Sequence, residues 1–289
     1  MTAVNADTNI IDLLAEPVTE PGVYDLPEFI YHADPVPGGS LSQSGAKKLL
    51  STCPARFRYE QDNPPGPTRA MELGTAAHKL VLGVGADLVE VEAKDWRSKD
   101  AKEAADAARA RGAVPLLSEE MRTVEAMAEA LSQHPIARAL LNRDAGTPEA
   151  SLFWRDDETG VMLRSRFDFL PDRGVRDRLL VSDYKTCVSA HPDKFQKSAY
   201  DFGYFQQAAW YLSGVRALGL ADDAAFVFIA QEKAPPYLVS VFDVDFVALD
   251  YGHSRNREAI DLFAECVAAN HWPGYADDVV TLRLPRWAA

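Results

Sequence analysis

The stretch from Glu149 to Lys185 constrains the fold most, because short apolar runs alternate there with turn signals. Acidic residues stand at or near the ends of these runs. Its pattern of β-branched, aromatic and alternating residues predicts β-strands at about 149–156, 160–170 and 177–186. The polar run Asp156–Gly160 predicts the first turn, and Pro171–Gly174 predicts the second. A sheet built around this stretch is therefore expected to organise the chain.

Acidic residues near the ends of two of these strands indicate a metal site. Successive side chains of a strand face opposite sides of the sheet, so Arg164, Arg166 and Asp168 share one face of the second strand. Asp183 and Lys185 share one face of the third. The turn between the strands can bring the two aspartates together. Two close carboxylates repel each other, and a bound cation removes that conflict.

Carboxylate oxygens favour Mg²⁺ or Mn²⁺ over Zn²⁺, which predicts one of the first two ions for this site. Lys185 beside the ion can orient a water or neutralise charge on a phosphate. The alternative is a surface hairpin with solvated charges, since the Asp-x-Lys tripeptide is common; the upstream Asp168 and Glu149 weigh against it. Arg164 and Arg166 fit phosphate contacts and surface counter-charges equally well.

The apolar spacing predicts a helix over 71–82 that contains one histidine, His78. Gly74 lies four residues earlier on the same helical face and costs about 1 kcal/mol relative to alanine. The small residues around it suggest a close approach by another group, which favours a ligand role for His78. The alternative is a structural histidine, the commoner case for a lone histidine on a helix.

The remaining pattern predicts helices and strands around this centre, with an acidic arm in front. Residues 1–40 hold seven acidic residues and no lysine or arginine, and they are expected to form a loosely ordered arm with a short strand near 29–31. Residues 41–289 are expected to form a single domain. Helices are predicted after Ser42 and at about 99–111, 118–133, 136–142, 192–199, 204–217 and 245–269. Further strands are predicted at about 88–92, 225–231, 237–242 and 279–284.

Composition narrows the class of protein. The chain has 289 residues, 47% of them hydrophobic and 25% charged, as in soluble globular proteins. It has no basic segment followed by an apolar run at its start and no apolar run near 18 residues, which predicts a cytoplasmic rather than a secreted or membrane protein. The net charge is −13, yet residues 41–70 and 161–216 each carry more basic than acidic residues. That distribution is compatible with a phosphate-binding cleft.

Taken in order, these motifs resemble a known family. The chain is similar to the PD-(D/E)XK nucleases of the RecB and lambda-exonuclease type, and most closely to the nuclease domain of the RecE (exodeoxyribonuclease VIII) exonucleases of phages and prophages. The resemblance covers about 41–275. It rests on LSQSGAKKLLSTCPARF, MELGTAAHKLVLG, PEASLFW, RSRFDFL, VSDYKT and FQQAAWYLSG. Each motif alone is weak, whereas their common order and spacing are specific. The implied fold is α/β, with a restriction-endonuclease-like core in which helices flank a central mixed β-sheet.

The resemblance assigns roles to individual residues. It implies that Asp168, Asp183, Glu149 and His78 bind metal and that Lys185 is the catalytic lysine of the signature. It also implies that Gln207 and Tyr211, four residues apart on the late helix, border the DNA cleft and do not face the core. The tyrosine can instead be a core aromatic. Cys53 stands where the family often has serine. An iron–sulfur cluster, present in some relatives, needs four cysteines, whereas this chain has three.

The same resemblance implies an activity and partners. A family member would hydrolyse linear duplex DNA from its ends in the 5′-to-3′ direction and leave 3′ single strands for an annealing protein of the RecT type. It would assemble as a homo-oligomeric ring, here expected to have three or four subunits. An endonuclease on the same fold and a non-catalytic DNA-binding protein are the alternatives. The non-catalytic alternative is disfavoured because no acidic ligand or lysine is missing.

Overall fold

The computed structural model describes residues 11–12, 16–64, 66–172, 178–284 and 286–287. Within these ranges, no helix combines the length and the apolarity needed to cross a membrane. A short 3-10 helix spans Arg143–Ala145. The α-helices are α1 (Glu28–His32), α2 (Gln43–Ser51), α3 (Pro54–Asp62), α4 (Arg69–Leu82), α5 (Lys99–Arg109), α6 (Ser118–Ser132), α7 (Pro135–Leu140), α8 (Pro192–Asp201), α9 (Tyr204–Ala217) and α10 (Phe246–Ala269).

The strands of the described residues form two larger sheets and a small one. They are β1 (Ile11–Asp12), β2 (Gly22–Asp25), β3 (Leu41–Ser42), β4 (Leu88–Val91), β5 (Val114–Leu117), β6 (Gly146–Pro148), β7 (Ser151–Arg155), β8 (Met162–Arg166), β9 (Phe169–Pro171), β10 (Leu179–Cys187), β11 (Ala224–Glu232) and β12 (Val239–Asp243). The first sheet has the order β1-β2-β7-β8-β3, the second β12-β11-β10-β9-β6, and β4 pairs with β5. The second sheet is mixed, because β10 and β11 are parallel and its other neighbours are antiparallel. The predicted fold class, a mixed sheet flanked by helices, is confirmed.

The two larger sheets share a corner, where two chain segments pass from one sheet into the other. β6 continues into β7 through Glu149 and Ala150, and β8 continues into β9 through Phe167 and Asp168. At the crossing, the Glu149 N–H donates to the Asp168 carbonyl over 3.1 Å, and the Phe167 N–H donates to the Ala150 carbonyl over 2.8 Å. Bends of this kind let strands change sheets. The corner therefore places two predicted site residues side by side.

Helix α9 packs in the main core of the molecule and contributes to both larger sheets' packing. Its Trp210 lies at 5.7 Å from the Trp154 ring of β7, and the indole N–H donates to the Arg164 carbonyl of β8 over 3.0 Å. At Gly214, a Cβ atom would lie only 2.9 Å from the Trp154 ring. The glycine thus allows the close contact between helix and strand that the two indoles fill.

Capping residues explain where several helices begin. Ser42 accepts a hydrogen bond from the Gly45 N–H at the start of α2, as its sequence position predicts. Thr68 caps α4 and Asp245 caps α10 in the same way. Gly83, with φ of 77°, ends α4 in the left-handed conformation that glycine adopts at little cost. These local signals fix the helix that carries His78.

Residues 16–40 pack onto the first sheet. They contribute β2, helix α1 and an apolar cluster, so this part of the predicted arm is built into the fold. The cluster consists of Val18, Tyr24, Leu26, Tyr31, Val36, Phe153 and Met162. The strand predicted near 29–31 is wrong, since these residues lie in α1. Three apolar residues carry no usable period, and the preceding Pro27 suits a helix start. Residues 1–10 and 13–15 lie outside the described residues, and the predicted boundary at residue 41 stays a prediction.

Three other strand predictions need correction. The expected strand 160–170 is divided into β8 and β9, and the expected strand 149–156 begins only at Ser151, because of the corner described above. The strand expected at 279–284 is wrong: these residues form no strand, and Val279 and Leu282 are at least 93% exposed. The third central strand is confirmed as β10. The predicted turn at Pro171–Gly174 lies partly outside the described residues. Asp177, the first residue of the predicted third strand, also lies outside them.

The helix predictions are confirmed to within two residues at nearly every end, and the hairpin of β11 with β12 is confirmed. Helix α3 and strand β5 were not predicted. Both are short segments that contain or begin with a proline, at Pro54 and Pro115. Proline fits the first turn of a helix and the edge of a sheet, which the apolar pattern alone does not reveal.

Candidate active site

Two aspartates lie next to each other on adjacent segments of the second sheet. β9 and β10 are antiparallel with Phe169 opposite Ser182, so the next position in register places Asp168 opposite Asp183. The Asp168 carboxylate accepts a hydrogen bond from the Tyr184 N–H of the neighbouring strand over 2.8 Å. The predicted convergence of the two carboxylates from adjacent strands is thus present. It arises from the corner, where the Asp168 side chain turns towards β10 and its carboxylate accepts the hydrogen bond from the backbone of that strand.

Asp183 is almost completely buried and is held at both oxygens. Its Oδ1 accepts from Nε2 of Gln207 over 2.5 Å, and its Oδ2 forms an ion pair with the Lys185 ammonium. Burial, followed by the negative charge of Asp168, raises the pKa of Asp183 to about 6. The two predicted neighbours on one face of β10, Asp183 and Lys185, therefore do share that face and make direct contact.

Positive groups on the other side of the cluster stabilise the charge on Asp168. Burial alone would raise the pKa of Asp168, but His78 and Lys185 outweigh it and hold the pKa below its usual range. For Lys185, burial would lower the pKa, whereas Asp183 and Asp168 raise it. The free protein thus keeps one carboxylate ionised and leaves the other close to protonation.

His78 lies on α4 with its ring nitrogens directed to two acceptors. Nδ1 lies 3.0 Å from the Gly74 carbonyl, and Nε2 lies 3.1 Å from Oδ2 of Asp168. A carbonyl only accepts, so Nδ1 carries a proton. Burial would lower the pKa of His78, but Asp168 raises it to about 9, so the imidazole is cationic near neutral pH. When neutral, this tautomer presents the Nε2 lone pair beside Asp168, an arrangement typical of metal-binding histidines.

The reason given for the ligand role of His78, a close approach at Gly74, is wrong. Apart from the backbone of α4 and the two adjacent residues, no atom of the described residues lies within 4 Å of the position that a Gly74 Cβ would occupy. The glycine instead opens the surface of α4 next to the histidine, and its carbonyl orients the ring. The role of His78 rests on its contact with Asp168.

Glu149 lies at the corner with φ of 57°, a left-handed conformation that costs a residue with a side chain about 1–2 kcal/mol. Its carboxylate accepts from Nε of Arg166 over 2.5 Å. Burial and then the charge of Asp168 raise its pKa above the usual range, although Arg166 opposes this shift. Arg166 also donates to the Leu26 carbonyl and to the Ser151 hydroxyl. Glu149 therefore borders the aspartate pair with an arginine as its present partner.

Arg164 lies inside the protein. It is 4% exposed and forms an ion pair with Asp34 over 2.6 Å, and it donates to the Ser40 carbonyl over 3.1 Å. The two arginines that were candidates for phosphate contact thus have internal partners, and their role in DNA binding stays a prediction. Their alternation with Asp168 is interrupted by the corner.

Gln207 and Tyr211 share a face of α9, but the expectation that both avoid the core is wrong for Tyr211. The tyrosine ring stacks on Phe167 at 4.5 Å within the main apolar cluster, and its hydroxyl donates to the Arg166 carbonyl over 2.7 Å. Gln207 is buried too, yet its amide contacts Asp183. Gln207 therefore positions the Asp183 carboxylate, and Tyr211 holds the end of β8 through its hydrogen bond to Arg166.

The donor set suits a divalent cation, although the described residues show no preassembled group of three or more metal-binding side chains. Oδ2 of Asp183 is buried and, in the part of the chain described, has the Lys185 ammonium beside it but no aligned hydrogen-bond donor. Two carboxylates and an imidazole fit Mg²⁺ or Mn²⁺, and a cation would offset the repulsion that raises the Asp183 pKa. Glu149 is a further oxygen donor, now paired with Arg166. The identity of the ion stays a prediction.

Two further residues beside the site were not singled out from the sequence. Tyr204 places its ring 5.2 Å from the Lys185 ammonium, and Lys47 lies close enough for its charge and that of Lys185 to repel each other. The signals were present as an aromatic at the start of α9 and as the lysine pair in α2. Nothing in the sequence indicates that these elements meet.

Comparison with protein families assigns the chain. Residues 42–285 match the family described as PDDEXK-like domain of unknown function, DUF3799. The chain belongs to this family. The expected relation to the PD-(D/E)XK fold is thereby confirmed. None of the curated proteins matches the sequence.

One solved structure shows the same fold. A protein of Eubacterium rectale, proposed to be an exonuclease, is 12% identical, with 90% of this chain and 96% of that chain covered and a TM-score of 0.61. A phage-related exonuclease of Haemophilus somnus 129PT is 15% identical, with 68% and 94% covered and a TM-score of 0.29. An alkaline exonuclease of Laribacter hongkongensis is 13% identical, with 70% and 94% covered and a TM-score of 0.27. At 12% identity, the Eubacterium rectale structure supports the fold alone. The TM-scores of the other two structures are too low to support the fold.

Proposed function

We propose that this protein is a metal-dependent exodeoxyribonuclease that hydrolyses linear duplex DNA from its ends, in the 5′-to-3′ direction, and leaves 3′ single strands. The observation that carries the proposal is the cluster of Asp168, Asp183, Lys185 and His78 within a PDDEXK-like domain, in which Asp183 is buried and the other three side chains are partly buried. A structural ion-pair network would not need two neighbouring carboxylates, one of which raises the proton affinity of the other. Carboxylates with perturbed pKa values are common where a protein must bind a cation and an anionic substrate.

The residues of the cluster divide the work of phosphodiester hydrolysis. In that reaction a water oxygen bonds to phosphorus, a phosphorus–oxygen ester bond breaks, and the leaving oxygen gains a proton. Asp168, Asp183 and His78, with Glu149 as a further donor, would hold Mg²⁺ or Mn²⁺. The ion would supply Lewis-acid stabilisation of phosphate charge and make water more acidic. Lys185, fixed by Asp183, stands where its ammonium can orient the attacking water or stabilise negative charge on the phosphate.

The direction of digestion and the partners rest on the resemblance to RecE-type exonucleases. We propose that the 3′ strand passes to a single-strand annealing protein of the RecT type. We also propose a homo-oligomeric ring of three or four subunits, since a ring that encloses DNA prevents its dissociation. Supporting this, residues 279–284 and Trp287 expose apolar side chains that a second subunit can cover: Val279, Val280, Leu282, Leu284 and Trp287.

Digestion of matched DNA substrates tests the activity. With Mg²⁺, linear duplex should be degraded and a 5′ label released early, whereas covalently closed circles should stay intact. EDTA should stop the reaction. Asp183→Asn should abolish cleavage with an unchanged circular dichroism spectrum. Asp157→Asn, the same change at an exposed aspartate of the β7–β8 turn, should retain it.

Each other outcome is informative. Cleavage of closed circles would establish an endonuclease on this fold, the alternative reading. Release of a 3′ label first would reverse the proposed direction. Intact linear and circular DNA with both Mg²⁺ and Mn²⁺, or wild-type turnover by Asp183→Asn, would refute the proposed catalysis.

A further inference from the structure

Lys47 is a cation held beside the candidate active site without a carboxylate partner among the described residues. Its ammonium donates to the Phe202 carbonyl over 3.1 Å. The adjacent Lys48, in contrast, forms an ion pair with Glu60 on α3. Burial, followed by the positive charge of Lys185, lowers the pKa of Lys47. Lys185 already has the Asp183 carboxylate as its partner, so of these two lysines it is Lys47 that can bind a further anion.

The turn between α8 and α9 is shaped to hold this lysine. Gly203 has φ of 68°, and a Cβ atom there would lie 2.9 Å from Cδ of Lys47. The turn therefore needs glycine both for its backbone conformation and for the space that the lysine stem occupies. The ammonium is thus fixed in place on the side of the site where α2, α8 and α9 meet.

Aromatic rings continue from this point over the surface. The Tyr204 ring lies 5.2 Å from the Lys185 ammonium, and the Phe202 ring lies 5.9 Å from the Tyr204 ring. Phe202 is 57% exposed although it is a large apolar side chain. Tyr200, also exposed, stacks on Tyr251 at 5.9 Å. An exposed ring next to a cation that has no carboxylate partner in the described part of the chain, here Phe202 next to Lys47, is a pattern on which single-stranded nucleic acids bind, since every base offers a face for stacking.

We propose that Lys47 and Phe202 form a subsite for single-stranded DNA beside the scissile position, in which Lys47 binds a backbone phosphate and Phe202 stacks on a base. The inference rests on the proposed nuclease function and specifies how that site holds its substrate strand. A subsite for one strand also fits an enzyme that must separate the cut strand from its complement. A protein partner is the competing occupant of an exposed aromatic patch, and the test below includes it.

Fluorescence anisotropy of a labelled thymidine oligonucleotide in EDTA measures the subsite without cleavage. Lys47→Gln should weaken binding and reduce the slope of log affinity against log salt by about 0.7, the value for one lost phosphate contact on a single strand. Lys48→Gln, the same change one residue away, should leave affinity and slope nearly unchanged. Phe202→Leu should weaken binding by about 5- to 150-fold, and Phe202→Tyr, which keeps a ring, should restore it.

Other outcomes would overturn either the subsite or the proposed activity. An unchanged salt slope in Lys47→Gln, or equal losses in Lys47→Gln and Lys48→Gln, would show general charge attraction. Unchanged DNA binding by Phe202→Leu together with a lower mass in light scattering would assign the patch to a protein interface. If wild-type protein degrades DNA while these variants bind normally, only the subsite fails. If it binds through Lys47 but degrades no DNA, only the proposed activity fails.

Discussion

At the scale of single residues, Asp183 links the stability of the protein to pH. Its folded pKa of about 6 lies above that of an unfolded aspartate, so the folded state binds the proton more tightly. As pH rises from about 4 through about 6, the unfolded state holds fewer protons and the free energy of unfolding falls. Asp183→Asn cannot titrate. Its melting temperature relative to wild type in EDTA should therefore be higher at pH 8 than at pH 5.

Thermal unfolding at both pH values measures this difference, with Asp157→Asn as the control that should show none. An equal offset of Asp183→Asn from wild type at pH 5 and pH 8 would contradict the raised pKa. Mg²⁺ should raise the melting temperature of wild type more than that of Asp183→Asn, because a ligand stabilises only the state that binds it.

Gln207 is expected to act through Asp183. Gln207→Leu keeps a similar volume but removes the amide that donates to the carboxylate. The charged form of Asp183 then loses a hydrogen bond, so its pKa should rise further and the acid limb of the pH–rate profile should move to higher pH. The loss of one partner from a buried carboxylate should also cost about 1–3 kcal/mol of stability. A lower melting temperature with an unshifted pH profile would leave Gln207 a purely structural role.

The sequence predicts some site residues better than others for a physical reason. Asp168, Asp183 and Lys185 are set by strand spacing and register, which are local. Arg164 is different, because its partner Asp34 comes from a segment about 130 residues earlier, and nothing in the local pattern shows that the two meet. Tyr211 is likewise defined by the ring on which it stacks, so its burial becomes visible only in the fold.

At the scale of helices and strands, close packing of α10 on α9 depends on Gly252. A Cβ atom there would lie 2.2 Å from the Phe205 carbonyl oxygen, and backbone cannot move aside cheaply. Gly252→Ala should therefore destabilise the protein by about 1–3 kcal/mol, even though alanine favours helix. Gly74→Ala on α4 is the matched control, since no described atom beyond the helix's own backbone and the two adjacent residues is near that position. It should stabilise the helix by about 1 kcal/mol.

Denaturant unfolding of the two variants measures these effects. Equal stabilisation by both substitutions would contradict the tight contact between α9 and α10. Lower DNA affinity in Gly74→Ala, with its stability raised, would indicate that DNA approaches the open surface of α4 beside His78.

Most helices and strands follow from apolar period and capping, but the corner between the sheets does not. The runs before and after it read as continuous strands, because a bend at Glu149–Ala150 and Phe167–Asp168 leaves the alternation of residue types intact. The left-handed conformation of Glu149 is equally invisible, since glutamate has no preference for it. This corner decides which carboxylates meet, so the sequence predicts the site's composition more completely than its geometry.

At the scale of the whole molecule, the exposed apolar residues of 279–284 and the proposed ring can be tested together. A protein of 31.8 kDa that forms a ring should scatter light as three or four chains at micromolar concentration. Leu282 and Leu284 are 93% and 75% exposed within the chain, so their replacement by glutamate should change the stability of a single subunit by only about 0.5 kcal/mol.

If these side chains lie between subunits, burying two carboxylates there is costly. The double variant should then scatter as one chain while its circular dichroism is unchanged, and digestion should become less processive. A wild-type mass of one chain with processive digestion intact would refute the ring as the source of processivity, and an unchanged mass in the double variant would place the subunit contact elsewhere.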